Sequence, residues 1–465
     1  MIRNISIFGT SSDAGKSTIT FVIAKILQDL GIKTVPFKAQ NVSNNAYVCD
    51  DGSEIAVAQY FQANVLNVET SYHLNPILIK SGKANMASLV VEGKVVSNKS
   101  VKEYYKDINL LKPAVKRCFE YLDSKYDCVV CEGAGSPVEL NLMDKDLSNI
   151  YIADEFNTKI ILVADIEKGG VFASIFGVYN LLPKKLRSNV IGVLINKFRG
   201  DMSLFDEGIK IIEEQFNIPV LGVLPYLPFN LGFEDSQSLK NYVQEKNDAI
   251  IKVAVLSYPH MSNYNDFEPL INDFNIDLDF IENSVNLDKY DMLILPGSKL
   301  VIKDLKWLKN NGLFKKIKEY KKQILGLCGG YEMMFTILKD NYLIENEKFI
   351  VEQGFGFIDD ELIFQEKKIL KKSSYEIFDC KKVKGFEIHH GISEKYPLFF
   401  EKENIKGTFI HGIFDNDNIR TKVFKQINKN YKEFNYKEFK KSKINDFVEN
   451  MEKRIDTSFI IKNIK

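Results

Sequence analysis

Two α/β units in tandem are predicted for this 465-residue chain: a doubly wound parallel-sheet P-loop domain, then a flavodoxin-like domain. Three observations predict them. A glycine-punctuated loop, Gly9 to Thr18, stands between a short apolar run and a helical pattern. Near-continuous apolar runs recur at residues 160–165, 190–196 and 220–224, as parallel strands covered on both faces require. After a polar lapse around residues 234–250, a second alternation begins at 252–256, continues at 277–281 and 292–295, and runs from 324–327 into Cys328.

In chain order, residues 5–8 form the first strand. A helix from Thr18 to Leu30 follows, with Phe21, Val22, Ile26 and Leu30 on one stripe and Gly31 as its stop. Between them, backbone N–H groups of a loop and helix N-terminus can surround phosphate oxygens, Lys16 can reach the terminal phosphates, and the Ser17 hydroxyl can ligate Mg²⁺. Five residues rather than four separate Gly9 from Gly15, so the four-residue count starts at Thr10. This spacing resembles the variant loop of dethiobiotin synthetases, which use ATP to phosphorylate carboxylates. The expected ATP contacts are Thr10, Asp13, Ala14, Gly15, Lys16, Ser17 and Thr18.

A second strand at 34–37 ends in Lys38-Ala39-Gln40-Asn41, a lysine and two amides at the carboxyl edge of a parallel sheet, where ligands bind. Residues 54–59 begin a helical pattern, and 74–80 form an apolar segment with polar ends. The strand 127–131 delivers Glu132 into Gly133-Ala134-Gly135-Ser136-Pro137; a carboxylate there suits a Mg²⁺ contact opposite Ser17. Asp144 and Asp146 follow in a loop, Asp165 to Gly170 offers an acidic, glycine-rich edge, and Asn196 to Asp201 has the look of a base-reading turn.

In the second unit, Gly326-Leu327-Cys328-Gly329-Gly330 has the form of a nucleophile elbow carrying a thiol. Gly297 and Gly329 are the expected oxyanion donors. His411, after a short apolar strand and before Gly412, is the expected base, and the segment 386–391 with His389 and His390 is read as a binding loop. Past Arg420, helical spacing on a lysine-rich background predicts an amphipathic helix packed on the second unit.

Composition narrows the partners. Lys+Arg and Asp+Glu are both 62, so no net field recruits nucleic acid or an anionic membrane. No apolar run reaches the roughly 18 residues a membrane helix needs, so a soluble cytoplasmic protein is expected. Six scattered cysteines and five histidines leave little for a thiolate- or histidine-rich metal site. Cys128 and Cys131 are three apart on a strand and face opposite sides, so they neither bridge nor chelate.

A variant phosphate loop followed by a cysteine elbow on one chain resembles the cobyric acid synthases, glutamine-hydrolysing amide synthases of the cobalamin pathway. The resemblance rests on residues 9–17, 36–41, 75–80, 132–137, 165–174, 196–201, 295–298, 328–331, 385–391 and 407–417. It implies a class I glutamine amidotransferase domain at 251–440, an ATP-dependent amide synthase domain at 1–235, a linker at 236–250 and a helical tail at 441–465. It further implies amidation of the b, d, e and g carboxylates of adenosylcobyrinic acid a,c-diamide, with ATP, Mg²⁺ and L-glutamine consumed and a small corrinoid as substrate. Oligomeric state stays undetermined.

The site residues implied are Cys328 and His411 for catalysis, Ser17 and Glu132 for metal, Asn196 and Arg199 for nucleotide. Lys38, Gln40, Asn41 and Asp146 are implied for substrate, Asp146 near the corrin or the metal. Two positions depart from pattern. Ile413 stands where many glutaminases carry a glutamate two residues past the histidine, so a Cys-His dyad without a third member is expected. Residues 81–88 replace a proline-led continuation after Lys80, leaving local substrate contacts open. A sister cobyrinic acid a,c-diamide synthase is the nearest alternative, which Gln40-Asn41 and 132–137 argue against. A partitioning-type ATP switch would have no use for Cys328 and His411.

Overall fold

The computed structural model describes residues 2–81, 86–100, 103, 106, 108–229, 231, 232 and 246–465. The local substrate contacts considered at 81–88 centre on residues outside that set, and so does most of the expected linker at 236–250.

The first unit is built on six parallel strands in the spatial order Val220–Pro225, Val190–Phe198, Lys159–Asp165, Ile5–Gly9, Cys128–Glu132, Thr34–Phe37. The strands are apolar on both sides because both faces are covered. On one face Ile5, Ile7, Cys128 and Val130 pack under the helix Lys16–Asp29. On the other, Val129 and Cys131 meet the helix Lys112–Asp123, while Phe8 and Leu162 meet the helix Val171–Leu181. Cys128 and Cys131 thus lie buried on opposite faces, as strand alternation demands. A four-stranded sheet, Gln40–Val42, Ile77–Ser81, Met86–Val91 and Lys94–Ser100, stands beside this layer.

Small departures have local causes. The helix ends at Asp29, so Leu30 turns outward, 52% exposed, instead of completing the apolar stripe. Residues 54–56 form a strand rather than a helical turn because Tyr47 and its neighbours pair with them; the helix begins at Val57 and runs to Val65.

The second unit has the order Ile276–Ile281, Ile251–Leu256, Met292–Leu295, Gln323–Leu327, Ile405–Thr408, with Phe399–Lys402 as an antiparallel edge. In chain order that is 2-1-3-4-5, the flavodoxin-like arrangement. A second, five-stranded sheet contains the long hairpin Ile358–Ile377 and Cys380–Ile392 and ends on the two-residue strand Ile410–His411.

The tail corrects an expectation. The helices Tyr436–Glu452 and Thr457–Ile464 pack on the first unit, where Phe447, Val448 and Met451 join the core under Phe21. Asp456 N–H donates to Leu221 O and Arg3 N–H to Ile464 O, both at 2.7 Å. Helical spacing reveals an apolar face but not which partner covers it. A compact apolar seam of Tyr47, Val48, Leu78, Phe386 and Ile388 joins the two units as well, with Tyr47 stacked on Tyr60 at 3.4 Å. Among the described residues no helix is long and apolar enough to cross a membrane.

Candidate active site

Two centres emerge, one in each unit. The first sits where the central strand Ile5–Gly9 releases the loop that enters the helix Lys16–Asp29. Asp13 and Gly15 take positive φ, +58° and +98°, which turns the loop back over the helix N-terminus. That terminus has neither a side-chain cap nor an acidic residue in its first turn, so its N–H groups remain available to an anion. Gly15 is required for space too: a Cβ there would lie 2.2 Å from Asn196 Nδ2, which donates to Ala14 O at 2.9 Å. Lys197 Nζ donates to Asp13 O at 2.6 Å and pairs with Asp165 at 3.0 Å, so the turn at 196–197 clamps the loop from above. Thr10 N–H is fixed to Val163 O at 2.9 Å, Thr18 continues the first helical turn, and Lys16 Nζ lies 3.0 Å from Ser11 O. Arg199 lies flat, 3.5 Å over the Tyr226 ring, and pairs with Glu167 at 2.7 Å.

Glu132, 1% exposed, is the hub of this centre. Its Oε1 accepts from Ser17 Oγ and from Lys38 Nζ, both at 2.7 Å, and its Oε2 accepts from Gln62 Nε2 at 2.6 Å and Gln59 Nε2 at 3.4 Å. Asn41 Nδ2 donates to Gln59 Oε1 at 3.0 Å, which extends the network toward the expected substrate edge. Gln59 and Gln62 were not foreseen as site residues; two glutamines three apart on an apolar helix are the signal they leave in the sequence.

Asp146 is placed differently from the expectation. Its Oδ1 accepts from the N–H groups of Ser148 and Asn149, at 2.8 and 2.7 Å, and its Oδ2 accepts from Asn149 Nδ2 at 2.7 Å. Ser148 in turn holds the backbone of Gln40. Asp146 therefore braces the loop that carries Gln40. A short polar side chain close to its own backbone hydrogen-bonds there first.

The second centre begins at the end of the strand Gln323–Leu327. Cys328 adopts φ +47°, ψ −110°, the strained corner of an elbow, before the single helical turn Gly329–Glu332. Small neighbours make the corner possible: a Cβ on Gly330 would sit 1.9 Å from Leu295 O, and one on Gly329 would sit 2.5 Å from Ser298 N. Gly297 and Gly329 are thereby held side by side next to the thiol, and a Cβ on Gly297 would be 3.2 Å from His411 Cε1.

His411 does not stand alone with the cysteine. Its Nδ1 meets Asp266 Oδ2 at 2.6 Å, Asp266 Oδ1 accepts from Gly412 N–H at 2.8 Å, and both side chains are essentially fully buried. The expected dyad is a Cys328–His411–Asp266 triad. The third member comes from a turn 145 residues upstream instead of from position 413, a distance no local spacing can bridge. Burial opposes a charge on His411, but the Asp266 carboxylate and the Cys328 sulfur outweigh it and raise the imidazole from 6.5 to about 10. With Nδ1 committed to Asp266, Nε2 is the working nitrogen; it is buried and makes no hydrogen bond.

The thiol and imidazole open on a cavity of about 590 Å³ at the seam between the units, lined by Ser298, Lys299 and Glu332 from one unit and Asn44 and Lys80 from the other. Asn263 N–H donates to Asn45 Oδ1 at 2.7 Å, and Ala46 N–H to Asn263 Oδ1 at 3.3 Å, so the seam also positions the turn bearing Asp266. Of the two other histidines, His389 lies flat on Phe409 at 3.8 Å, whereas His390 lines the cavity, where burial and then Lys368 depress it to about 4.

Residues 5–230 match the CobQ/CobB/MinD/ParA nucleotide binding domain, and residues 252–419 match the CobB/CobQ-like glutamine amidotransferase domain. The chain is 62% identical over 464 residues to the cobyric acid synthase of Acinetobacter baylyi, covering 100% of both. The chain belongs to the cobyric acid synthase family. Cobyric acid synthases of Prochlorococcus marinus (38% identical, 99% of this chain and 98% of the relative) and Clostridium acetobutylicum (39%, 90% and 89%) extend the comparison. As a member of the family the chain is an ATP-dependent, glutamine-hydrolysing amidotransferase of cobalamin biosynthesis, and the two centres divide that work between a nucleotide-binding unit and a glutaminase unit.

Proposed function

We propose that the chain converts adenosylcobyrinic acid a,c-diamide to adenosylcobyric acid by amidating its b, d, e and g carboxylates, one ATP and one glutamine for each. What carries this reading is the pairing of a phosphate loop facing a buried carboxylate, Glu132, with a cysteine triad whose cavity opens at the seam between the units.

In the first half-reaction a corrin carboxylate oxygen attacks the γ-phosphorus of ATP, ADP departs and an acyl phosphate forms. The loop N–H groups and Lys16 stabilise the transferring phosphoryl group, and Asn196 and Arg199 hold the base end. The donor set suits Mg²⁺: Ser17 Oγ and Glu132 Oε1 lie 2.7 Å apart, as neighbouring oxygens of an octahedral ion do, and phosphates with water complete such a shell. When bound, the ion offsets charge on the phosphate oxygens. Lys38, Gln40 and Asn41 face the acceptor carboxylate.

In the second, Cys328 Sγ attacks the glutamine amide carbon, the N–H groups at Gly297 and Gly329 receive the developing oxyanion, and His411 Nε2–H protonates the leaving ammonia. Water then hydrolyses the thioester to glutamate. The ammonia attacks the acyl phosphate, expelling phosphate and leaving the amide. We assign residues 1–235 together with the tail to the synthase half and 251–435 to the glutaminase half, in a soluble cytoplasmic enzyme.

A mass-spectrometric time course of the protein with ATP, Mg²⁺, glutamine and adenosylcobyrinic acid a,c-diamide tests this, beside Cys328→Ala with glutamine or ammonium. Successive losses of about one mass unit, four in all, with the variant active on ammonium only, is the expected result. Turnover of ATP with no mass change would refute the substrate assignment.

A further inference from the structure

One wall of the glutaminase cavity holds more positive charge than the chemistry above uses. Lys80, Lys299 and Lys368 all line it. Behind them lies one carboxylate, Glu54, fully buried; Lys80 pairs with its Oε1 and Lys368 with its Oε2 at 3.0 Å. Lys299 makes no ion pair or hydrogen bond through its ammonium among the described residues. Three lysines therefore share one carboxylate, and the unshared one faces open space.

The other acids of the cavity do not neutralise it. Glu345 spends both oxygens on the N–H groups of Val301 and Ile302, at 2.9 and 3.0 Å, capping a helix. Glu332 accepts from Gly391 N–H at 3.1 Å, and burial, with Cys328 and Glu345 nearby, pushes its carboxyl well above the usual range. Burial, then Lys368, lowers Lys299 to about 8, as expected of an ammonium in a cleft that lacks a close anion. Glu366 stands on the cavity rim, available to a positive group.

Position gives the excess a purpose. Lys299 follows Gly297 and Ser298, the segment that borders the thiol, and it is rigidly held: Lys299 N–H donates to His260 O at 2.8 Å, and Asp304 grips Ser298 Oγ at 2.6 Å and His260 Nδ1 at 2.8 Å. One rigid strap thus presents backbone N–H groups to an amide at Cys328 and an ammonium further along the same cavity, with Cys328 near enough to act on the charge of Lys299. A ligand with an amide at one end and a carboxylate at the other matches that spacing.

We propose that Lys299 binds the α-carboxylate of glutamine, with the Glu54-anchored Lys80 and Lys368 supplying the positive field behind it. The inference rests on the glutaminase reading of Cys328. Because Lys80 and Glu54 belong to the nucleotide-binding unit and Lys368 to the other, the glutamine site is completed only when the two units are closed on each other.

The test compares glutamine with 4-aminobutanamide, the same molecule without its carboxylate, as substrates of the full-length wild-type, Lys299→Met and Lys299→Arg proteins, reading ammonia release. Loss of a charge-assisted hydrogen bond predicts that Lys299→Met raises KM for glutamine about 10- to 100-fold. KM for 4-aminobutanamide changes less than about threefold by the same reasoning, and Lys299→Arg recovers most of the preference for glutamine. Equal losses on both substrates would overturn the proposal and make Lys299 merely structural. So would a rise in KM for the corrin with ammonium as nitrogen source while glutamine kinetics stay fixed, since the bound carboxylate would then be the corrin's. Absence of ammonia release by the wild-type protein would instead defeat the glutaminase reading itself.

Discussion

Replacing Asp266 by asparagine isolates the residue that sequence spacing did not supply. The change is nearly isosteric and removes the charge that accepts His411 Nδ1–H at 2.6 Å and Gly412 N–H at 2.8 Å. Two losses follow. The imidazolium gives up a charge-assisted hydrogen bond in a buried setting, worth about 1.5–3 kcal/mol, or roughly 10- to 150-fold. An amide at position 266 can also donate to Nδ1, leaving the proton on Nε2 of a neutral ring, the wrong tautomer to stay next to a thiolate; in a serine triad the equivalent change reaches about 10⁴-fold. We expect glutaminase kcat/KM to fall by about 10²- to 10⁴-fold. The assay is glutamate release from glutamine, coupled to the pH profile of Cys328 alkylation by iodoacetamide. In the wild-type protein His411 stays cationic to about pH 10, so alkylation proceeds beside a cation throughout the neutral range. In Asp266→Asn that cation is lost and the profile moves to higher pH. Activity within about threefold of wild type, together with a superimposable alkylation profile, would refute the triad.

Three further outcomes are expected. The folded-state value of His411, about 10, lies above its unfolded 6.5, so the pair with Asp266 contributes stability that is full below pH 6.5 and lost as pH rises through about 10. Urea melts of wild type and Asp266→Asn at pH 6, 8 and 10 should accordingly show a gap that narrows with rising pH, and a constant gap would contradict the assignment. Glu132→Gln leaves Lys38 without its buried counter-charge and removes the expected metal contact; ATP-dependent amidation should drop by at least about 10²-fold, and stability by about 3–5 kcal/mol in chemical denaturation. Phe447→Ala empties space in the core that the tail shares with Phe21 and Phe229, and should cost about 3–5 kcal/mol; a change below about 1 kcal/mol would mean the tail is only loosely seated.

The sequence by itself determined the two α/β units, the phosphate loop with Lys16 and Ser17, the elbow at Cys328, and Glu132 at the end of a buried strand. Each is written in contiguous residues: a loop needs its glycines next to its lysine, and an elbow needs small residues beside its nucleophile. Family resemblance rested on the same local stretches. Tertiary structure alone decided what crosses the chain. Asp266 reaches His411 because the strand Ile251–Leu256 and the strand Ile410–His411 end near each other in space. Gln59 and Gln62 join Glu132 because the helix Val57–Val65 lies across the end of its strand. The tail helices belong to the first unit because its core had apolar surface left to cover, which periodicity on the helix cannot reveal. Lys80, Lys299 and Lys368 converge from three segments, and only burial around one glutamate turns three ordinary surface residue types into a single field. Short-range patterns encode the groups that do chemistry, while long-range packing sets their electrostatic surroundings, and that packing is a property of the folded chain rather than of any stretch within it.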